Sequence, residues 1–250
     1  MKRILFFLAA SVLMLSCKNN EKKEVSEETV PNKTTQKTQN DSEWTYLFNG
    51  KDAEGWRGYN DKEGSGLPQG WVIEDGTLKS LGKGGDIGGD IIYAKEKYGN
   101  FDLSLEWKLS PQGNSGVFYH VVEDDKYEAP YFTGPEYQII DSENFPEKLE
   151  DWQKIGADYG MYVPDYKNLD LPDVTNWNTS RIRVTDDKVT YWLNGQKTVE
   201  FDPQSEEWQK RKEEGKWKDY PDYGNAKTGY IGLQDHGSEI WFRNIKIKKL

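Results

Sequence analysis

From Phe101 to Leu109 the chain alternates without a break. Phe101, Leu103, Leu105, Trp107 and Leu109 are apolar, whereas Asp102, Ser104, Glu106 and Lys108 are polar or charged. A side-chain period of two marks a strand with one face in a core and the other outside it. A helix of the same residues would scatter its apolar groups around the whole circumference. By this parity Trp107 belongs to the core. Two more strand-like runs follow, Gly116–Val122 and Glu136–Ile140. Parity groups Phe118, His120 and Val122 on one side of the first, and Glu136, Gln138 and Ile140 on one side of the second. We expect these sides to coincide with that of Glu106, so that one sheet face carries two carboxylates, an amide and an imidazole. The segment PQGNSG (111–116) has the Gly and Asn that a tight turn requires.

The remaining chain is read in the same terms. Asp75-Gly76, inside Gly70–Leu78, and Asn194-Gly195, between Val189–Leu193 and Thr198–Phe201, are hairpin signals. Arg181–Thr185, Tyr230–Asp235 and Glu239–Ile247 are further strands, and a slip of alternation near Arg243-Asn244 predicts a bulge. Glu206–Glu214 is the one convincing helical stretch, short and highly charged. Gly82–Gly89 is glycine-rich but lacks the Gly-Lys-Ser/Thr ending of a phosphate loop, and reads as a loop before the strand Ile91–Tyr93. Asn144–Asn178 is irregular and holds Trp152, Tyr159, Tyr162, Tyr166 and Trp177, as a functional loop does. The sum is an all-β fold, a β-sandwich with one short helix and long aromatic loops.

Ten Trp and fifteen Tyr suit the wet aromatic surfaces of sugar-binding proteins. A net charge of −10 argues against a nucleic-acid backbone as partner, which needs clustered Lys and Arg. At the N-terminus Lys2 and Arg3 precede the apolar run Ile4–Leu15, and then Ser16-Cys17. Residues 1–17 are expected to be a lipoprotein signal peptide, with Cys17 the lipidated residue of a lipobox-like Leu13–Cys17 segment. Leu15 stands where such a segment usually has a small residue. Residues 18–42 have almost no large apolar side chains and read as a disordered tether, leaving 43–250 as the folded domain. The expected location is the cell envelope, periplasmic or on the outer membrane, with contact to the membrane through the lipid alone. Cys17 is the only cysteine, which excludes an intrachain disulfide and a thiolate metal cluster.

The runs LFNGKDAEGW (47–56), WVIEDGTL (71–78), YGNFDLSLEWKLSPQGNSGVFYHV (98–121), GPEYQIID (134–141), WNTSRIRV (177–184) and GYIGLQDHGSEIWFRNIKIK (229–248) together resemble the 3-keto-disaccharide hydrolase family. The resemblance implies a concanavalin-like jelly-roll sandwich related to glycoside hydrolases and lectins. It also implies action on glycosides already oxidised at carbon 3 of a sugar ring. His120 departs from the commonest family pattern, which has Arg there.

A ketone at carbon 3 acidifies the hydrogen on carbon 2. A base can remove it, the enolate can expel the glycosidic oxygen from carbon 1, and water can add back. His120, Glu136 and His236 are the candidate catalytic residues. Glu106, Gln138, Gln234 and Asn114 are the candidate substrate contacts. Either histidine can act as base or, with Glu136 or Glu106, ligate a divalent metal that polarises the ketone; His120 with Glu136 is one such pair. Asp141 and Arg243 can brace the sandwich or touch substrate, and Gln234 shares parity with His236. Two other functions compete. One is a non-catalytic carbohydrate-binding module. The other is a conventional retaining glycosidase, which needs two carboxylates roughly 5 Å apart. Glu136 has only Gln138 two residues on, so the glycosidase reading is the weakest.

Overall fold

The computed structural model describes residues 44–84 and 89–250. The expected signal peptide, Cys17 and tether lie outside the described residues, as does the middle of the 82–89 loop. Among the described residues thirteen strands are formed: β1 Thr45–Tyr46, β2 Trp56–Gly58, β3 Trp71–Glu74, β4 Thr77–Leu81, β5 Ile91–Tyr98, β6 Phe101–Leu109 and β7 Asn114–Val121. They continue with β8 Glu136–Ile140, β9 Asn178–Val184, β10 Val189–Leu193, β11 Gln196–Phe201, β12 Gly229–Leu233 and β13 Glu239–Lys249. The α-helix α1 spans Glu206–Glu214. Ser205 caps it, its side chain accepting from the Trp208 N–H at 3.1 Å, with Glu206 and Glu207 in the first turn.

The strands form two sheets. The larger has the order β11-β10-β9-β6-β13-β4-β3, with β1 also paired to β13. The smaller is β2-β5-β12-β7-β8. The all-β sandwich predicted from alternation is therefore the fold. β6 lies inside the larger sheet, and its apolar residues Phe101, Leu103, Leu105, Trp107 and Leu109 are buried in the core between the sheets. Each such side chain contributes about 1.5–3 kcal/mol by leaving water. Trp107 is fully enclosed, its Nε1–H donating to Ser180 Oγ at 2.8 Å, so its polar atom is satisfied.

The turns follow their sequence signals. Asp75 and Gly76 have φ of 48° and 74°, and Asn194 and Gly195 have 49° and 81°. Such left-handed pairs match the twist of the hairpins β3–β4 and β10–β11. The predicted bulge in β13 is present as a register shift against β6 between Arg243 and Lys246, with Asn244 at φ 50°.

Candidate functional site

The outward face of the smaller sheet carries the site. Asn114, Gly116 and Phe118 on β7 share one parity. Glu136 and Gln138 lie beside them on β8, where Gly116 pairs with Gln138 and Phe118 with Glu136. The Gln234 N–H donates to Gly116 O at 3.0 Å, so the segment leaving β12 runs along the other side of β7. Gly116 forms a bare floor: a Cβ there would lie 2.3 Å from Glu136 Oε1, so the carboxyl occupies the space of the missing side chain. Tyr137, of opposite parity, points into the core and packs against Tyr191 at 5.2 Å between ring centroids.

Loops roof this floor. Asn114, Glu136, Gln138, Gln234 and His236 line one cavity of about 240 Å³ together with Tyr131, Tyr159, Lys216, Trp217 and Tyr220. Trp217 is held by its Nε1–H donating to Tyr159 O at 2.9 Å and by stacking on Tyr223 at 4.1 Å. A second cavity of about 620 Å³ adjoins it, sharing Tyr131, Gln234 and His236. Asp90, just before β5, lines this larger space.

The polar groups are poised for a ligand. Gln138 Nε2 donates to Gln153 O at 3.1 Å, which turns Oε1 the other way. Gln138 Oε1, Gln234 Oε1 and Asn114 Oδ1 are buried acceptors without a hydrogen-bond partner. Burial pushes the Glu136 carboxyl well above its usual range; Asp90 and Asp158 add to this, and Lys216 and a hydrogen bond with Gln234 oppose it. The shift favours the protonated carboxyl, which can donate a hydrogen bond as well as accept one. Asp90 is pushed up to about 7, chiefly by burial and further by the Asp235 carboxylate, against the pull of the Asp235 N–H. That N–H donates to Asp90 Oδ1 at 2.9 Å, and Asp235 in turn accepts from Gly84 N–H at 2.9 Å and Gly237 N–H at 3.0 Å. This lattice holds the turn that presents His236.

Five of the seven residues predicted to form the site are together: Glu136, His236, Gln138, Gln234 and Asn114. Two are elsewhere. Glu106 does point away from the core, but on β6 in the larger sheet, whereas Glu136 is in the smaller. Its Oε2 accepts from Arg243 Nε and its Oε1 from Asn244 Nδ2, both at 2.7 Å, so it braces the β13 bulge. His120 leaves its parity group because its own backbone is left-handed, φ 55°, where β7 loses register with β12. Its ring packs edge-on against Phe101 and Tyr119, which belong to the core, and Nε2 meets Gly99 O at 2.9 Å. Burial holds its pKa below the usual value. His120 and Glu136 therefore cannot ligate one metal, and among the described residues no cluster of three or more His, Cys, Asp or Glu could do so. Asp141 caps its own loop, accepting from the Gln112 N–H at 2.9 Å and the Asn144 N–H at 3.1 Å.

Sequence reasoning missed Asp90, Lys216, Trp217 and Tyr220. Asp90 had a usable signal, since it shares parity with Ile92 on the outward face. Lys216 to Tyr220 follow the helix in an aperiodic turn, and only folding brings them over β8.

Residues 43–248 match the family described as 3-keto-alpha-glucoside-1,2-lyase-like domain. The chain is 33% identical over 234 residues to a 3-keto-disaccharide hydrolase of Bacteroides thetaiotaomicron, covering 82% of this chain and 77% of that one. A crystal structure from Parabacteroides distasonis, of a protein carrying the name glycosyl hydrolase, is 45% identical with a TM-score of 0.75, over 84% of this chain and 95% of that one. A Bacillus subtilis protein with a galectin-like fold is 13% identical with a TM-score of 0.50, over 82% and 94%, and shares the fold alone.

Proposed function

We propose, from the premise that this chain belongs to the 3-keto-α-glucoside-1,2-lyase-like family of glycoside hydrolase-type enzymes, that it cleaves 3-keto-glycosides by elimination and rehydration. The observation that carries this reading is a buried Glu136, its carboxyl pushed toward the protonated form, lining with Lys216 and His236 one cavity that has room for one sugar ring. A conventional retaining glycosidase needs an ionised nucleophile there, and a binding module needs no carboxyl held neutral.

His236 takes the hydrogen from carbon 2. The C2–H electron pair becomes the enolate, whose charge gathers on the carbon 3 oxygen. The Glu136 carboxyl donates a hydrogen bond to that oxygen and the Lys216 ammonium faces it, as preorganised groups do for a developing oxyanion. The enolate expels the glycosidic oxygen from carbon 1, leaving an enone with a carbon 1–carbon 2 double bond. Asp90, poised about half protonated near pH 7, gives its proton to the departing oxygen. Water then adds to carbon 1 and a proton returns to carbon 2, so the net change is hydrolysis. Gln138, Gln234 and Asn114 accept hydrogen bonds from ring hydroxyls through oxygens that otherwise have no partner.

The test is incubation of a 3-keto-glucoside bearing a chromogenic leaving group in heavy water. Release of chromophore with deuterium at carbon 2 of the sugar product is the expected result. Release without deuterium would mean direct displacement at carbon 1. Binding without release would make the protein a carbohydrate-binding module.

A further inference from the structure

The 620 Å³ cavity is a second binding space with its own chemistry. Its walls are Tyr59, Leu67, Pro68 and Tyr131, which present aromatic and apolar surface. Its polar groups are acidic: Asp61, Asp90, Glu128 and Asp235 line it, and among the described lining residues there is no Lys or Arg. His236, at the junction with the smaller cavity, is the single basic side chain. Hydrogen bonds from Ser65 hold Asp61 below the usual carboxylate range, so it is charged at neutral pH. The nearby Arg57 is engaged by Glu123, to which it donates two hydrogen bonds of 2.6 and 2.7 Å. Gln234 adds an independent sign of a ligand: it is 7% exposed, lines both cavities and has an Oε1 with no partner.

We infer that the larger cavity is the leaving-group subsite, and that it accepts neutral or cationic leaving groups while rejecting anionic ones. The inference rests on the catalytic reading above for the orientation of the substrate. The groups that stabilise an enolate, Glu136 and Lys216, are confined to the smaller cavity, so the keto ring belongs there. The scissile bond then crosses beneath His236 and Gln234, and whatever was joined to carbon 1 enters the larger space. Tyr59 and Tyr131 offer faces on which a second sugar ring or an aromatic aglycone can lie. A carboxylate or phosphate on that group would meet several like charges with no Lys or Arg among the described lining residues to pair with, and like-charge juxtaposition is a strong device for excluding ligands.

The experiment uses the full chain and three 3-keto-glucosides whose leaving groups are glucose, glucosamine and glucuronic acid. The glucuronic acid substrate is expected to have a kcat/KM at least about tenfold below that of the glucose substrate, with glucosamine equal to or better than glucose. In Glu128→Lys the penalty on glucuronic acid should shrink and any preference for glucosamine should fall. Turnover of glucuronic acid within about twofold of glucose would overturn the inference, as would a ratio that Glu128→Lys leaves unmoved. Calorimetric binding of the three unoxidised disaccharides separates this inference from the catalytic one. If no keto-glycoside is turned over but the anionic disaccharide still binds worst, the subsite stands and the proposed reaction falls. If all three bind alike, the subsite falls.

Discussion

Asp90 Oδ1 accepts the main-chain N–H of Asp235 at 2.9 Å, fastening the approach to β5 to the turn that carries His236. The same carboxyl lines the larger cavity and is poised near neutrality. In the proposed reaction one residue thus ties the geometry of the base to the protonation of the leaving group.

Asp90→Asn should lower kcat by about 10² or more on a substrate with a poor leaving group, and by much less on one with a nitrophenol, which needs no acid. In the wild type kcat should fall as pH rises through about 7, the value to which Asp90 is pushed, and that limb should be lost in the variant. Stability moves in the same sense. A folded pKa of about 7 against an ordinary 3.8 gives stability that is full below pH 4 and lost as pH rises through 7. Urea midpoints at pH 5 and pH 8 should therefore differ less for Asp90→Asn than for the wild type.

His236→Ala and Glu136→Ala address the chemistry itself. Removing the base should cost about 10²–10⁴ in turnover of a 3-keto-glycoside. Removing the carboxyl should cost about 10²–10³. Both proteins should keep the wild-type circular dichroism spectrum. Near wild-type rates in both would exclude the proposed roles.

Gly116→Ala tests the floor. The added methyl would stand 2.3 Å from Glu136 Oε1, so the carboxyl must move. A displacement of that size should reduce kcat by about 10², with a smaller effect on thermal stability, read by calorimetry.

His120→Ala should behave in the opposite way. It removes a ring packed on Phe101 and Tyr119 and a contact with Gly99 O, and should cost about 1–3 kcal/mol of stability. The rate per folded molecule should not change. His120→Gly should be less harmful than Ala, because glycine adopts φ 55° without a steric penalty. A large loss of turnover in a folded His120→Ala protein would restore this histidine to the catalytic set.

Cys17→Ser tests the proposed anchor. The expected result is release of the protein from the membrane fraction into the soluble envelope fraction, followed by immunoblotting. An unchanged, detergent-dependent distribution would remove the lipid from the account.

The local features of this protein were decided by its sequence. Alternation in Phe101–Leu109 set the buried face of β6, Asn194-Gly195 set a hairpin, and Ser205 set the start of α1. Each depends on residues within one or two turns of chain, where sterics and burial act without reference to the rest of the fold. The site was legible to the same extent: Glu136 and Gln138 share a face because they are two apart, and Gln234 and His236 arrive together. Tertiary structure decided the remainder. Parity says that Glu106 points away from a core, but not from which sheet, and only the pairing of β6 with β9 and β13 put it on the far side of the sandwich. His120 is itself the left-handed residue of its strand, at φ 55°, where its backbone lies close to Gly229, and no period-two pattern reveals such a residue. Burial beneath distant loops raises the pKa of Asp90 and Glu136, because the cost of a charge depends on everything that excludes water from it.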